Sequence, residues 1–135
     1  MSDDRFARQR DLLPPEKLAA LQVTIIGAGA VGSFTCLTLA KMGVTNITVY
    51  DGDTVEEHNL PNQWYRSRDL GRKKVEALAE IILDFTDVTL TTHPHHYTHE
   101  NLTGIVICAV DTMDTRLLLW REVKKFNPEL YIDAR

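Results

Sequence analysis

The sequence has little cysteine, and its two cysteines do not form a recognisable pair. Cys36 and Cys108 lie in separate apolar runs, and the 135 residues contain no C-x-x-C motif. A disulfide scaffold or a cysteine-based zinc site needs more cysteines at closer spacing. Both residues are therefore predicted to be small, reduced core side chains.

An excess of positive charge is also missing. The chain has 15 lysines and arginines against 19 aspartates and glutamates, a net charge of −4. This balance provides no general positive field for nucleic acid. No apolar run approaches transmembrane length, and the acidic, arginine-bearing N-terminus does not resemble a signal peptide. We therefore expect a cytoplasmic protein with no nucleic-acid partner and no membrane contact.

Apolar runs and helical periodicities alternate along the chain. The strands are predicted at 22–27, 46–51, 88–92, 105–110 and 130–133, and the main helices at 30–42, after Gly71 and at 113–126. This alternation predicts an α/β fold, a Rossmann-like open and mostly parallel sheet with helices on both faces. The expected organisation is one domain over 1–135, with an N-terminal arm at 1–21 and a core at 22–135. Because the sequence stops at Arg135 directly after a strand, the fold is expected to be truncated after its fifth strand.

A glycine-rich turn follows the first predicted strand. The stretch from Val23 to Gly32 reads V-T-I-I-G-A-G-A-V-G, a buried strand, a tight turn and a helix start. In such a motif, Gly27 permits the turn, Gly29 permits close approach of a phosphate, and Gly32 permits close packing of helix and strand. The free N–H groups of the first helical turn would face an anion. The motif predicts nucleotide binding but does not identify the nucleotide.

Further polar residues are expected at the same edge of the sheet, where open α/β sheets bind ligands. Asp51 ends the second predicted strand, nineteen residues after Gly32, at the position of a ribose-binding acid. The others are Asp53, Asn59, Lys74 and Asp111. Lys74 is suited to contact a phosphate, and Asp111 offers the hard oxygen ligand that Mg²⁺ prefers. A hydride-transfer site needs neither residue, whereas a site that cleaves a nucleoside triphosphate needs both.

These residues occur in a wider pattern that resembles the adenylation domain of the ubiquitin-activating-enzyme superfamily, in its ThiF/MoeB/HesA branch. The resemblance runs from Arg5 to Arg135. Its motifs, in family order, are R-F-A-R-Q at 5–9, G-A-G-A-V-G at 27–32, D-G-D-T-V at 51–55, Asn59-Leu60 with Gln63, Gly71 with Lys74-Val75, and Asp111 with Arg116. Each motif is weak alone, but together they are specific.

The resemblance implies an enzyme that binds ATP and Mg²⁺. It would adenylate the C-terminal Gly-Gly carboxylate of a ubiquitin-like or sulfur-carrier protein, releasing pyrophosphate. Asp51 would bind ribose, Asn59 and Lys74 the phosphates, and Asp111 the Mg²⁺. Arg8 would be an arginine finger supplied to the partner subunit, which implies a homodimer. The remaining residues expected to bind the nucleotide are Gly27, Ala28, Gly29, Val31, Gly32, Asp53 and Gln63.

The chain departs from the family pattern at one position. Asn62 stands where the family usually has an arginine, which weakens the phosphate clamp unless Arg66, Arg68 or Arg72 substitutes. Two other functions therefore stay open: a nicotinamide-dependent oxidoreductase or nucleotide-sensing domain, and an inactive scaffold subunit. Neither Cys36 nor Cys108 matches the family's thioester or zinc cysteines, so no covalent catalysis or zinc site is expected.

Some residues favour plainer interpretations. The histidines between 93 and 99 have no standard metal spacing and are interrupted by Pro94, so a solvated strand end is expected. Arg8 and its neighbouring arginines could form a solvated arm. Arg116 is expected to be a structural ion-pair partner. Trp64-Tyr65 is expected to pack either onto the core or onto a second subunit.

Overall fold

The computed structural model of the chain describes residues 3–134, so Met1, Ser2 and Arg135, which belong to the predicted arm and core, lie outside the described residues. The helices are α1 Pro15–Ala19, α2 Ala30–Met42, α3 Lys74–Thr86 and α4 Met113–Phe126. The strands are β1 Gln22–Ile26, β2 Asn46–Tyr50, β3 Thr91–His93, β4 Ile105–Cys108 and β5 Leu130–Asp133. None of the helices in this part of the chain is long and apolar enough to cross a membrane.

The five strands form one sheet in the order β3-β2-β1-β4-β5, and every neighbouring pair is parallel. From β1 the chain proceeds through β2 to the edge strand β3. It then returns to the other side of β1 and continues through β4 to β5. The direction of winding therefore reverses between β1 and β4, and ligands bind beyond the carboxyl ends of the strands at such a point.

Two apolar cores cover the two faces of this sheet. Alternate residues of a strand point to opposite faces, so Ile25 and Ile26 enter different cores. The larger core packs α2 and α3 against β1 and β2, and includes Cys36 and Leu78. The smaller packs α4 against β1 and β4 through Leu119. The predicted α/β fold, a parallel sheet with helices on both faces, is confirmed.

Most element boundaries agree with the prediction, and the third strand differs most. It pairs with β2 only over Thr91–His93, whereas the prediction was 88–92. The chain leaves α3 through Asp87 in the left-handed conformation, and the Val88 N–H binds the Thr86 hydroxyl. Val88 is buried in the core without being in a strand. The apolar pattern therefore indicated where the chain becomes buried, at Val88. Pairing with β2 begins three residues later, at Thr91.

The connection between β2 and α3 is more ordered than a structureless loop. It contains two short 3-10 helices, Glu57–Asn59 and Ser67–Asp69, and Thr54 forms a β-bridge with Lys73. The carboxylate of Asp69 is fully buried and accepts hydrogen bonds from Arg66 and Arg72. Because these bonds tie the connection to the start of α3, they fix the position of the helix that carries Lys74.

The Asp69 network predicts a loss of stability in acid. Burial by itself raises the pKa of Asp69, but the Arg66 hydrogen bonds and the Arg66 and Arg72 charges outweigh it and hold the pKa below its usual 3.8. The stabilisation is therefore fully present above pH 3.8 and is lost as the pH falls through the lower folded-state value. In urea titrations at several pH values, Asp69→Asn should show a smaller acid-induced drop in unfolding free energy than the wild type. An equal drop in both proteins would contradict this assignment.

The N-terminal arm packs at the end of the molecule where α2 and α3 finish. Phe6 is buried against Gly43, Gln9 donates to the Met42 carbonyl, and Arg5 donates to the Thr86 carbonyl at 2.9 Å. The arm is therefore anchored by Phe6 and is not simply solvated. Both helices begin at the other end of the sheet, and a helix of 13 residues spans about 20 Å.

Candidate functional site

A cavity of about 930 Å³ lies at the carboxyl ends of β1, β2 and β4. It coincides with the switch point of the sheet. Nine of the residues predicted to form the site line it: Gly27, Gly29, Val31, Asp51, Asp53, Asn59, Gln63, Lys74 and Asp111. Three predicted residues do not line it: Ala28, Gly32 and Arg8.

The glycine-rich turn provides a set of unpaired backbone donors. The Gly27 N–H binds the Tyr50 carbonyl, and the Ser33 N–H binds the Gly29 carbonyl. Between them, the N–H groups of residues 29–32 have no acceptor in the described part of the chain. Three of these four residues line the cavity. The start of α2 is therefore suited to bind an anion through backbone donors, assisted by the helix dipole.

Ala28 and Gly32 support this turn from behind. The Ala28 N–H donates to the Asp51 carboxylate at 2.7 Å, so it is not available to a ligand. A Cβ on Gly32 would lie 1.8 Å from the Gly27 carbonyl oxygen. Gly32 therefore has the close-packing role that the motif predicts.

Asp51 is buried at the end of β2 with both carboxylate oxygens in hydrogen bonds. One oxygen accepts from the Ala28 N–H and the other from the Asp53 N–H, each at 2.7 Å. Each carboxylate oxygen has a second acceptor site. Asp51 lines the cavity, so these remaining sites can accept ribose hydroxyls, and the two backbone bonds hold the carboxylate in place.

Lys74 begins α3 and is 6% exposed. Its backbone N–H donates to the Asp53 carbonyl at 3.0 Å, which fixes the start of the helix beside the cavity. Among residues 3–134 its ammonium has no hydrogen bond or ion pair. A charge on a largely buried side chain without a counter-charge is unfavourable unless a ligand supplies one.

Asn59 and Gln63 also have unused polar groups at the cavity. The Asn59 carbonyl oxygen accepts from the Glu56 N–H, which leaves its amide NH₂ without a partner among the described residues. The Gln63 Oε1 atom is buried and has no hydrogen-bond partner there. Buried polar atoms are normally paired, so an unpaired one in a cavity indicates a missing partner.

Asp111 is exposed at the rim of the cavity, between β4 and α4. Its position depends on Arg116, which is buried and donates to the carbonyls of Val110 and Ala134 at 2.7 and 2.8 Å. Arg116 also forms an ion pair with Asp133. The expected ion pair of Arg116 is confirmed, and although Arg116 also lines the cavity, it joins the ends of β4 and β5 and fixes the residue that precedes Asp111.

The arginines that could replace the family arginine at position 62 are engaged elsewhere. Arg66 and Arg72 bind Asp69 and Glu80, and Arg68 binds Glu80. None of the three lines the cavity, whereas Asn62 does. The structure therefore shows no substitute for the missing arginine among these three residues.

Sequence reasoning missed the contribution of the segment after β3. His96 and Tyr97 line the cavity, and His96 Nε2 lies 3.6 Å from an Asp53 oxygen. The histidines lack any grouping of three or more His, Cys, Asp or Glu that could hold a metal, as does the rest of the chain over residues 3–134. The signal that could have placed His96 and Tyr97 is the parallel pairing of β2 and β3, which brings their carboxyl ends together.

Arg8 is exposed and does not reach this cavity. Its neighbours Phe6 and Gln9 are anchored to the end of α2 that lies far from the cavity. A role for Arg8 in its own subunit's site is therefore not supported. The predicted role in a partner's site stays a prediction.

The cysteines are poor candidates for nucleophiles. Both are buried and free, and burial raises the pKa of the Cys36 thiol to about 12 and the pKa of Cys108 above its usual value. A thiol of this kind stays protonated at neutral pH, and the thiolate is the reactive form. Chemistry in the cavity would therefore not use either cysteine.

The donor set of the cavity fits ATP with Mg²⁺. Backbone N–H groups, a lysine unpaired within the described residues and an asparagine amide are suited to phosphates, and Asp51 is suited to ribose. Mg²⁺ is usually held by one or two carboxylates together with phosphate oxygens and water. Asp111 provides such a carboxylate, so a cage made only of protein groups is not needed.

Comparison with known proteins gives three kinds of match. The profile of the ThiF family matches residues 7–131. The chain is 35% identical over 111 residues to "Adenylyltransferase and sulfurtransferase uba4" of Aspergillus fumigatus, covering 76% of this chain and 22% of the relative. It is 27% identical over 123 residues to "Ubiquitin-like modifier-activating enzyme 5" of Branchiostoma floridae, covering 77% of this chain and 30% of that protein.

Among solved structures, the fold is similar to that of the E. coli tRNA N6-threonylcarbamoyladenosine dehydratase TcdA in complex with ATP. The TM-score is 0.85 and the identity 26%, over 96% of this chain and 59% of that one. The chain thus spans less than a third of these two curated relatives and somewhat more than half of this solved chain.

Proposed function

The chain belongs to the ThiF family, and from this premise we propose that it binds ATP and Mg²⁺ and adenylates a protein C-terminus. The substrate would be the C-terminal carboxylate of a ubiquitin-like or sulfur-carrier protein that ends in Gly-Gly. The observation that carries the proposal is Lys74, whose side chain is largely buried and whose ammonium has no counter-charge among residues 3–134. It lines one cavity with the glycine-rich turn and Asp111.

In this mechanism, an oxygen of the substrate carboxylate attacks the α-phosphorus of ATP. The bond to the bridging oxygen breaks, and pyrophosphate leaves with the electron pair. The turn at the start of α2 and Lys74 hold the phosphates and neutralise the charge that develops on them, while Asp51 orients the ribose. Mg²⁺, held by Asp111, would add further charge neutralisation. Such reactions depend mainly on positioning and electrostatic stabilisation.

The proposal extends to assembly and organisation. Arg8 would act on the ATP of a second copy, so the active unit would be a homodimer. The 135 residues would form a single ATP-binding adenylation domain, with an arm at 1–21 and a Rossmann-like core at 22–135. A cytoplasmic location would place the domain with ATP and its carrier protein. Arg8 is exposed and does not line the cavity of its own subunit, which supports its proposed action on the ATP of a second copy.

A second candidate is an inactive subunit of an activating enzyme. It is favoured by Asn62 and by the engagement of Arg66, Arg68 and Arg72 with acidic residues. The oxidoreductase alternative has less support, because it leaves Lys74 and Asp111 without a role. Calorimetric titration with ATP·Mg²⁺ and with NAD would distinguish these functions, since tighter NAD binding would favour an oxidoreductase. ATP binding without exchange would favour the inactive subunit.

Asp111→Asn is expected to lower ATP–pyrophosphate exchange about a hundredfold while the melting temperature stays near the wild-type value. The amide is a poorer Mg²⁺ ligand than the carboxylate, and removing one electrostatic group from such a site costs about 3 kcal/mol. Exchange would be measured with labelled pyrophosphate and a carrier protein ending in Gly-Gly.

The matched control for this variant is Asp114→Asn, since Asp114 is exposed in the first turn of α4 and does not line the cavity. It should exchange at the wild-type rate. Near-normal exchange by Asp111→Asn would remove Asp111 from the mechanism.

A further inference from the structure

The orientation of the phosphate-binding turn depends on a residue outside the cavity. Tyr65 is 5% exposed, its ring belongs to the larger core, and it does not line the cavity. Its hydroxyl donates to the Ala28 carbonyl at 2.5 Å. Ala28 lies in the middle of the glycine-rich turn, so the core contacts the turn directly at this point.

The Ala28 residue is held from both sides. Its N–H donates to Asp51 and its carbonyl accepts from Tyr65. The chain has no cis peptide bond among its described residues, and in a trans peptide the C=O and the following N–H point in opposite directions. Because the Ala28 carbonyl points into the core towards Tyr65, the Gly29 N–H points away from it, on the side of the cavity that Gly29 lines.

We propose that Tyr65 is a positioning residue, which turns the Ala28–Gly29 peptide so that the Gly29 N–H faces the phosphates of ATP. This inference rests on the proposed function, since it concerns the phosphates of the same nucleotide. Burial, reinforced by the Asp51 charge, raises the pKa of Tyr65 well above its usual value, so the hydroxyl keeps its proton and remains a donor. A phenylalanine at 65 would fill the same core space but leave the Ala28 carbonyl without its partner.

The expected effect separates the phosphate part of the ligand from its nucleoside part. Tyr65→Phe should raise the Kd for ATP·Mg²⁺ about tenfold. The buried Ala28 carbonyl loses its partner, and the Gly29 N–H no longer points towards the phosphates. The Kd for adenosine should change less than twofold, because the phosphate cradle is not used. A matched control is Tyr131→Phe, since Tyr131 is partly buried on β5, packs against the smaller core and does not line the cavity. It should leave both affinities unchanged.

The experiment is calorimetric titration of the whole chain, wild type and both variants, with ATP·Mg²⁺ and with adenosine. Unchanged ATP affinity in Tyr65→Phe, or equal losses for both ligands, would overturn the positioning role. If the wild type binds no ATP·Mg²⁺, the proposed function fails and this inference fails with it. If Tyr65→Phe does not fold, the test is the change in the NMR chemical shift of the Gly29 amide in the wild type when each ligand is added. This resonance should shift strongly with ATP·Mg²⁺ and little with adenosine, and equal shifts would count against the proposal.

Discussion

Replacing Lys74 with alanine is expected to abolish ATP–pyrophosphate exchange, with a loss of at least a hundredfold. Lys74 is largely buried and lines the cavity, and its ammonium has no counter-charge among the described residues, so it contributes its full charge to bound phosphates. An electrostatic group of this kind typically contributes about 3–4 kcal/mol to the transition state. Both the Kd for ATP·Mg²⁺ and the exchange rate should be measured, because a phosphate contact affects both.

The thermal stability of Lys74→Ala should not fall together with its exchange activity. Most substitutions of buried residues destabilise a protein, but a charge held on a largely buried side chain without a partner is itself unfavourable. Lys74→Ala should therefore melt at or above the wild-type temperature in the absence of nucleotide. The control is Lys125→Ala, which removes an exposed positive charge from the last turn of α4, outside the cavity. It should keep its exchange rate, and because it loses only the contact of Lys125 with the Phe126 ring, its stability should fall by less than about 1 kcal/mol. Near-normal exchange by Lys74→Ala would refute the assigned role.

Gly32→Ala is expected to be a strongly destabilising substitution in the glycine-rich turn. The new Cβ would lie 1.8 Å from the Gly27 carbonyl oxygen, a backbone atom that cannot move without displacing the end of β1. Overpacking of a core usually costs about 1–3 kcal/mol, and contact with fixed backbone places this variant at or above the upper end. Urea denaturation followed by circular dichroism measures the loss.

Gly71→Ala is the informative comparison for this variant. Gly71 has a φ of +81°, but nothing lies within 4 Å of its added Cβ. The substitution should lower the free energy of unfolding by about 1–2 kcal/mol, because the alanine would have to adopt a left-handed conformation but would meet no steric clash. If Gly32→Ala were no worse than Gly71→Ala, the close approach of α2 to the turn would not be the reason for glycine at position 32.

Much of the fold follows from local pattern. Apolar runs of strand length separated by helical periodicities predict a parallel sheet, and the observed strand order confirms it. Boundaries set by backbone chemistry were also predictable, such as the end of α2 at Gly43, which has a φ of +117°. The third strand was shifted because Val88 is buried before the chain reaches β2, and burial is what an apolar pattern reports.

One part of the candidate site could likewise be predicted from the sequence, and another part could not. The glycine spacing, Asp51, Lys74 and Asp111 were recognisable because each stands at a fixed offset from a strand or helix end, and parallel strands bring those ends to one edge. Whether each charged side chain is paired or free to bind a ligand could not be recognised from the sequence. Arg66 and Arg72 look like phosphate ligands in the sequence but are neutralised by Asp69 and Glu80, which only their folded positions reveal.

The sequence by itself determined the α/β architecture, the glycine-rich turn and the residue types around it, because these depend on local periodicity and on short spacings. Tertiary structure decided which groups remain free to bind a ligand. It occupied the Ala28 N–H with Asp51 and the Ala28 carbonyl with Tyr65. Within residues 3–134 it also buried Lys74 without a partner and left the Gly29 N–H unpaired at the cavity. Hydrogen bonds and ion pairs between distant residues leave no periodic signal in a sequence, so the availability of a group can be read only from the folded chain.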